Sequence, residues 1–206
     1  NGKLGKIEYW LKRADNTPYI SMHERFEYAG TSVQKVVGYN EQNQVSATTS
    51  FQYDYQGRVI NIVKEENGAQ TTARVGYFHY ERPEITIDFD FPGAMDMAYY
   101  ADHRGGNTMT STAKRTNGDT ETGTYEYDFN INPYRHMNWP DLFLSHSSKN
   151  NLVLQRKQYM YSYPINEPYS YSYTYDADGY PTSLITKFKN YLTGKHVFST
   201  KKIFTY

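Results

Sequence analysis

The sequence predicts an all-β fold: one antiparallel meander of about a dozen strands, curled into a barrel-like or half-barrel sheet. Three observations carry that prediction. Rings and polar residues alternate strictly over several runs, the period-2 pattern of a strand with one buried face. Glycine-bearing turns separate those runs at hairpin spacing. Tyrosine fills 23 of the 206 positions, and aromatics reach 17% although hydrophobic residues make up only 38%. Tyrosine suits a half-wet sheet face and fits poorly in a dry helical bundle.

Near the start, Ile7, Tyr9 and Leu11 share one face of a strand, and Trp10 sits opposite, where it would cover an edge or a second layer. Phe51-Gln52-Tyr53-Asp54-Tyr55 alternates ring and polar residue. Ile85 to Phe91 and Tyr125-Glu126-Tyr127-Asp128-Phe129 repeat the pattern, and Tyr169 to Tyr175 is its longest instance. Parallel sheets would show continuous aliphatic runs instead. Asn67-Gly68 and Asn117-Gly118 supply the positive φ of a two-residue hairpin turn. Gln56-Gly57, Gly105-Gly106, Asp178-Gly179 and Thr193-Gly194 are further turn candidates. A meander of this length tends to close, because an open twisted sheet leaves adhesive edges.

One stretch departs from the pattern. Residues 130–151 contain Pro133 and Pro140 and read as a long ordered loop, with room for one helical turn over Asp141-Leu142-Phe143-Leu144 after Pro140. Loops this long are functional or serve as plugs. The whole chain, 1–206, reads as one domain carrying this loop.

Composition excludes several functions. Lys and Arg total 22, Asp and Glu total 22, and no block of like charge occurs. The electrostatic footprint of a nucleic-acid or anionic-membrane binder is therefore missing. There is no cysteine, so disulfides, thiolate ligands and thiol nucleophiles are excluded. That usage fits an exported bacterial protein. The mean hydropathy of -0.83 would fit disorder, but disordered chains lack this aromatic content. No apolar run is long enough for a membrane-spanning helix. A membrane-spanning barrel fits poorly too, since its rings gather at girdles. Here they run along whole strands and are expected to pack inward.

Tyr53-Asp54-Tyr55-Gln56-Gly57-Arg58-Val59 resembles a tyrosine-aspartate repeat of the kind found in Rhs-type shells, and Tyr173 to Pro181 is a looser copy. Together with Tyr125-Glu126-Tyr127-Asp128, Asn132-Pro133-Tyr134, and Ser148-Lys149-Asn150-Asn151, the chain resembles a family of Bacteroidetes lipoproteins, a domain of unknown function with a porin-like fold. The resemblance is strongest from Tyr125 onward. It implies export, a lipid anchor on a cysteine upstream of Asn1, an outer-membrane-anchored position on the periplasmic or cell-surface side, and a curled antiparallel sheet. It implies no activity.

Candidate sites are few. The best is the loop cluster of Tyr134, Arg135, His136, Trp139 and Asp141, which combines flat rings with hydrogen-bonding groups as sugar sites do. The competing reading turns Trp139 and Phe143 inward as a plug. His79 and Glu81 share a strand face but lack the third and fourth ligands of a metal site. Asp176-Ala177-Asp178-Gly179 opens like a calcium loop, but position 187 is Lys where the closing Glu belongs. Asp88, Asp90 and Asp96 could supply paired carboxylates, although alternating acids usually mark the wet side of a strand. No nucleophile elbow and no phosphate-binding loop occurs. No catalytic residue, metal or cofactor is therefore expected. The expected function is a non-enzymatic cell-envelope module binding a glycan, peptide or envelope protein. The alternatives are a structural envelope protein without a small ligand and, third, a hydrolase using strand carboxylates. An exposed aromatic patch would favour binding; an evenly polar exterior would favour the structural role.

Overall fold

The structure is a computed structural model that describes residues 3–77, 85–90, 96–136, 148–160, 165–189 and 196–206. Among these residues fourteen strands form one closed antiparallel barrel. They are β1 (Lys6–Lys12), β2 (Pro18–Ala29), β3 (Ser32–Asn40), β4 (Val45–Tyr53), β5 (Val59–Glu66), β6 (Ala69–Tyr77) and β7 (Ile85–Phe89) in the first half. The second half holds β8 (Met97–Arg104), β9 (Asn107–Arg115), β10 (Thr120–Ile131), β11 (Asn150–Met160), β12 (Ile165–Tyr175), β13 (Pro181–Lys189) and β14 (His196–Thr205). Each strand pairs with its sequence neighbours, and β14 returns to pair with β1. The expected meander is therefore a full barrel rather than a half one.

Alternation sets inside from outside. Phe51 faces Ile62, which faces Ala73; Phe51 and Ala73 are buried in the core and half-buried Ile62 packs against it. One residue on, Gln52 faces Asn61, which faces Arg74, which faces Asp88, all on the outer face. Arg25, Glu27, Gln52, Arg74, Asp88, Lys114, Glu126 and Arg156 are outward and exposed. A lipid-spanning barrel needs an outward apolar band about 25 Å tall. Among the described residues no such band is seen; the outward positions named above are polar or charged.

An eight-stranded barrel is just filled by its own side chains, and the diameter grows with strand number. Fourteen strands leave a wide lumen that small aliphatic residues cannot fill. This chain fills one end with long rings whose hydroxyls find partners. The Tyr28 hydroxyl donates to the Leu4 carbonyl at 2.8 Å, and the Tyr53 hydroxyl donates to the Val33 carbonyl. Leu4, Ile7, Val33 and Ile87 are fully enclosed at that end. Toward the other end the same inward positions turn polar. Glu121 pairs with Lys157 at 2.6 Å and lies 3.7 Å from Arg115. Lys64 and Glu66, on the inward register of Ile62, pair at 2.6 Å.

The turns follow two patterns. Asn67 and Gly68 both have positive φ, as do Gly105 and Gly106, the signature of two-residue hairpins. At Asn117-Gly118 only Gly118 has positive φ, and Gly118 N–H donates to the Arg115 carbonyl at 3.0 Å. That turn is a longer one with a left-handed residue at its end, not the expected two-residue form. The two tyrosine-aspartate turns share this design. The Asp54 carboxylate accepts from the N–H groups of Gln56 and Arg58, both at 2.9 Å. The Asp176 carboxylate does the same for Asp178 and Tyr180, at 3.0 and 2.8 Å. Asp176 is thus a turn-former, as its failed calcium pattern suggests. Thr193-Gly194 lies outside the described residues.

One expected alternation is broken. The register shifts on either side of Tyr127, so Phe129 stands 99% exposed instead of following Tyr125 and Tyr127 inward. Asp128 takes the inward place and accepts hydrogen bonds from the Tyr175 hydroxyl and, at 3.1 Å, the Asn151 N–H.

Candidate functional site

The segment after β10 builds the floor of an internal cavity. Asn132 caps a single helical turn, α1 (Pro133–His136), its side-chain oxygen accepting the Tyr134 N–H at 3.0 Å. Pro133 at the first helical position needs no N–H partner. The helical turn therefore forms seven residues before Pro140, and the expected turn over 141–144 lies outside the described residues. Ser148 fixes the returning chain. Its hydroxyl accepts the Thr108 N–H at 3.0 Å and donates to the Tyr127 oxygen at 2.9 Å, and its carbonyl accepts from Asn132 Nδ2 at 2.8 Å. Asn132, Ser148, Thr108 and Asn151 are all buried, so each bond is worth most by not being left unmade.

These bonds place Tyr134 inside the barrel, 9% exposed, with its ring edge-on to Phe204 at 6.2 Å. Above it lies a cavity of about 250 Å³. Tyr169, Tyr171 and Tyr173 line it from alternate inward positions of β12, and Leu152 and Leu184 complete the apolar wall. Asn132, Thr186, Thr200 and Lys202 supply the polar lining. The Lys202 ammonium sits 4.9 Å from the centre of the Tyr9 ring, a cation–π contact that holds it inside the lumen. The Tyr171 hydroxyl donates to Gln155 Oε1 at 2.8 Å. Burial pushes the Tyr171 and Tyr173 hydroxyls above the ordinary tyrosine range, so both stay neutral donors at any physiological pH.

Of the five predicted loop residues, Tyr134 is thus a buried lumen residue. Backbone at Arg135 and His136 lies in α1, while their side chains and the whole of Trp139 and Asp141 fall outside the described residues. His79 and Glu81 do so as well. Asp88 and Asp90 are exposed on the barrel wall and line neither this cavity nor the surface groove beside Trp10. No group of three or more candidate metal ligands occurs among the described residues. The sequence singled out the tyrosine run Tyr169 to Tyr175 as a strand, but not as a wall facing Tyr134. Lys202 and Thr200 reach the cavity because β14 pairs with β13 at Leu184↔Lys202 and Thr186↔Thr200, a register that no spacing in the chain announces.

No family model and no curated protein matches the chain. Among solved structures, it is similar to a porin-like protein from Bacteroides uniformis, at 13% identity over 98% of this chain and 96% of the other, with a TM-score of 0.48. A porin-like protein from Bacteroides vulgatus is similar at 9% identity over 100% and 99%, with a TM-score of 0.46.

Proposed function

We propose that the chain is a non-enzymatic binding module of the bacterial cell envelope whose lumen takes a small sugar-like ligand. The carrying observation is the cavity above Tyr134. It sets tyrosine rings, which stack on C–H faces, beside an amide, two threonine hydroxyls and an ammonium group. Its volume is just below the usual range for drug-sized ligands, about 300–1,000 Å³, and so favours something the size of one sugar ring. The family resemblance in sequence supports the envelope setting, with a lipid anchor ahead of Asn1 as the only membrane attachment. The polar outer face agrees with such tethering, since it offers nothing to a bilayer core.

The test is thermal unfolding against a panel of mono- and oligosaccharides. A ligand at about a hundred times its dissociation constant stabilises by roughly 2.7 kcal/mol, a rise of several degrees for a chain of this size. One saccharide class should raise the midpoint, and Tyr169→Ala and Lys202→Met should each abolish the rise. If no sugar moves the midpoint, the structural role without a small ligand takes its place, a reading that the largely polar exterior favours.

A further inference from the structure

The barrel is closed, but the β1–β14 pairing that closes it ends before either strand does. Pairing runs from Lys6↔Thr205 to Trp10↔Lys201 and stops. Beyond that point Leu11 and Lys12 still pair with Tyr19 and Pro18 of β2. Ser199 and Thr200 still pair with Lys187 and Thr186 of β13. Each strand therefore keeps its other neighbour while the two edges part. In the fork, alternate residues of 196–200 turn main-chain N–H and C=O groups toward a side where no strand pairs with them among the described residues.

A surface groove of about 750 Å³ occupies this fork. Trp10, Ile185 and Ile203 give it an apolar wall, and Lys12, Lys187 and Lys201 surround that wall. No acidic residue lines it. None of the three lysines has an ion-pair partner among the described residues. Trp10 is held in place, its Nε1–H donating to Glu8 Oε2 at 3.1 Å, while Lys6 neutralises the same carboxylate at 2.6 Å. This is the edge-covering position expected for Trp10.

We propose that the β1/β14 fork takes an extended acidic segment of a partner protein, added as a strand against the free edge of β14. Three features specify that occupant. A free strand edge supplies directional main-chain bonding. An apolar wall accepts every second side chain of an added strand. Unpaired lysines at the rim select carboxylates on the alternate positions. The groove opens on the outer face, and Thr200 borders both it and the lumen cavity.

The probe is an end-blocked short peptide alternating glutamate with valine, titrated into the full chain and followed by calorimetry and by backbone amide shifts. Binding should weaken as salt rises. The double variant Lys187→Glu, Lys201→Glu should weaken it by about tenfold or more. Shifts should centre on Leu11, Lys12 and 196–200. A copy of the peptide with N-methylated central amides should bind about tenfold or more weakly, because it cannot donate to the edge. Equal binding by the N-methylated peptide, or by the charge-reversed protein, would overturn the proposal. So would binding of vesicles rich in anionic lipid at the same residues with no binding of the peptide, which would make the fork a membrane-contact surface. Both substituted lysines are exposed or rim residues, and an unchanged unfolding midpoint for the double variant confirms that loss of binding is not loss of fold.

Discussion

Gly123 shows how far one residue's absence of a side chain shapes the lumen. It sits at an inward position of β10, buried, opposite Ser111 and Lys157. The Tyr125 ring folds back over it, and the Tyr125 hydroxyl lies 2.7 Å from Ser111 Oγ. A β-carbon at 123 would fall inside that hydroxyl and 3.1 Å from Ser111 Oγ. Gly123→Ala should therefore cost about 1–3 kcal/mol by overpacking, and urea unfolding with a tyrosine fluorescence readout would register it. An unchanged urea midpoint would show that the ring can move aside freely. Strand composition argues for a ring at 125, but only the fold reveals why the residue two before it must be glycine. Phe129 is the opposite lesson. Its alternation with Tyr125 and Tyr127 is plain in the sequence, and the register shifts that turn it out to water leave no local mark.

Among the elements, the strands were legible because each carries its own period, whereas the 130–151 connection is defined by partners far away in sequence. Asn132 answers to Ser148, and Ser148 answers to Thr108 and Tyr127. Pro133 starts the described helical turn, because Asn132 ahead of it caps the Tyr134 N–H. Asn132→Ala removes the cap and leaves the Ser148 carbonyl short of a partner in a buried place. It should destabilise by about 1–3 kcal/mol. Asp54→Ala removes two bonds to backbone N–H groups and the pairing with Arg58 from a half-buried surface turn, and should cost less, since water reaches the groups left behind. Chemical denaturation of the two variants side by side checks the order, and the reverse order would mean that the connection is not what holds the floor of the cavity. The polar end of the lumen was also readable in hindsight. Ile62, Lys64 and Glu66 step along one face of β5, and Tyr125, Gly123 and Glu121 step along one face of β10. Each period lies in the chain, but only the pairing of neighbouring strands brings the charged ends of these faces together.

For the molecule as a whole, lining a wide barrel with tyrosine makes its stability sensitive to alkali. Burial pushes Tyr28, Tyr53 and Tyr127 up to about 12 each, from the ordinary value of about 10. In the unfolded chain these hydroxyls lose their protons near pH 10, while in the barrel they keep them. The native state therefore binds more protons between about pH 10 and 12, and stability falls as pH rises through that window, while below it the contribution is constant. Urea midpoints should be flat up to about pH 9 and drop beyond pH 10, in step with tyrosinate absorbance. A drop that clearly precedes the tyrosinate absorbance would overturn this account. The closure of the sheet on itself also governs how the chain can reach this state. Most strand pairs along the meander join sequence neighbours and can form as soon as both halves exist, but β1 must wait for β14, across nearly the whole chain. During synthesis the first strand is therefore an open, bondable edge until the last one has emerged. The zipping of hairpins is local and quick, whereas sealing the cylinder is a single long-range event, and it defines the slow step of maturation and the interval in which the nascent sheet most needs protection from its own copies.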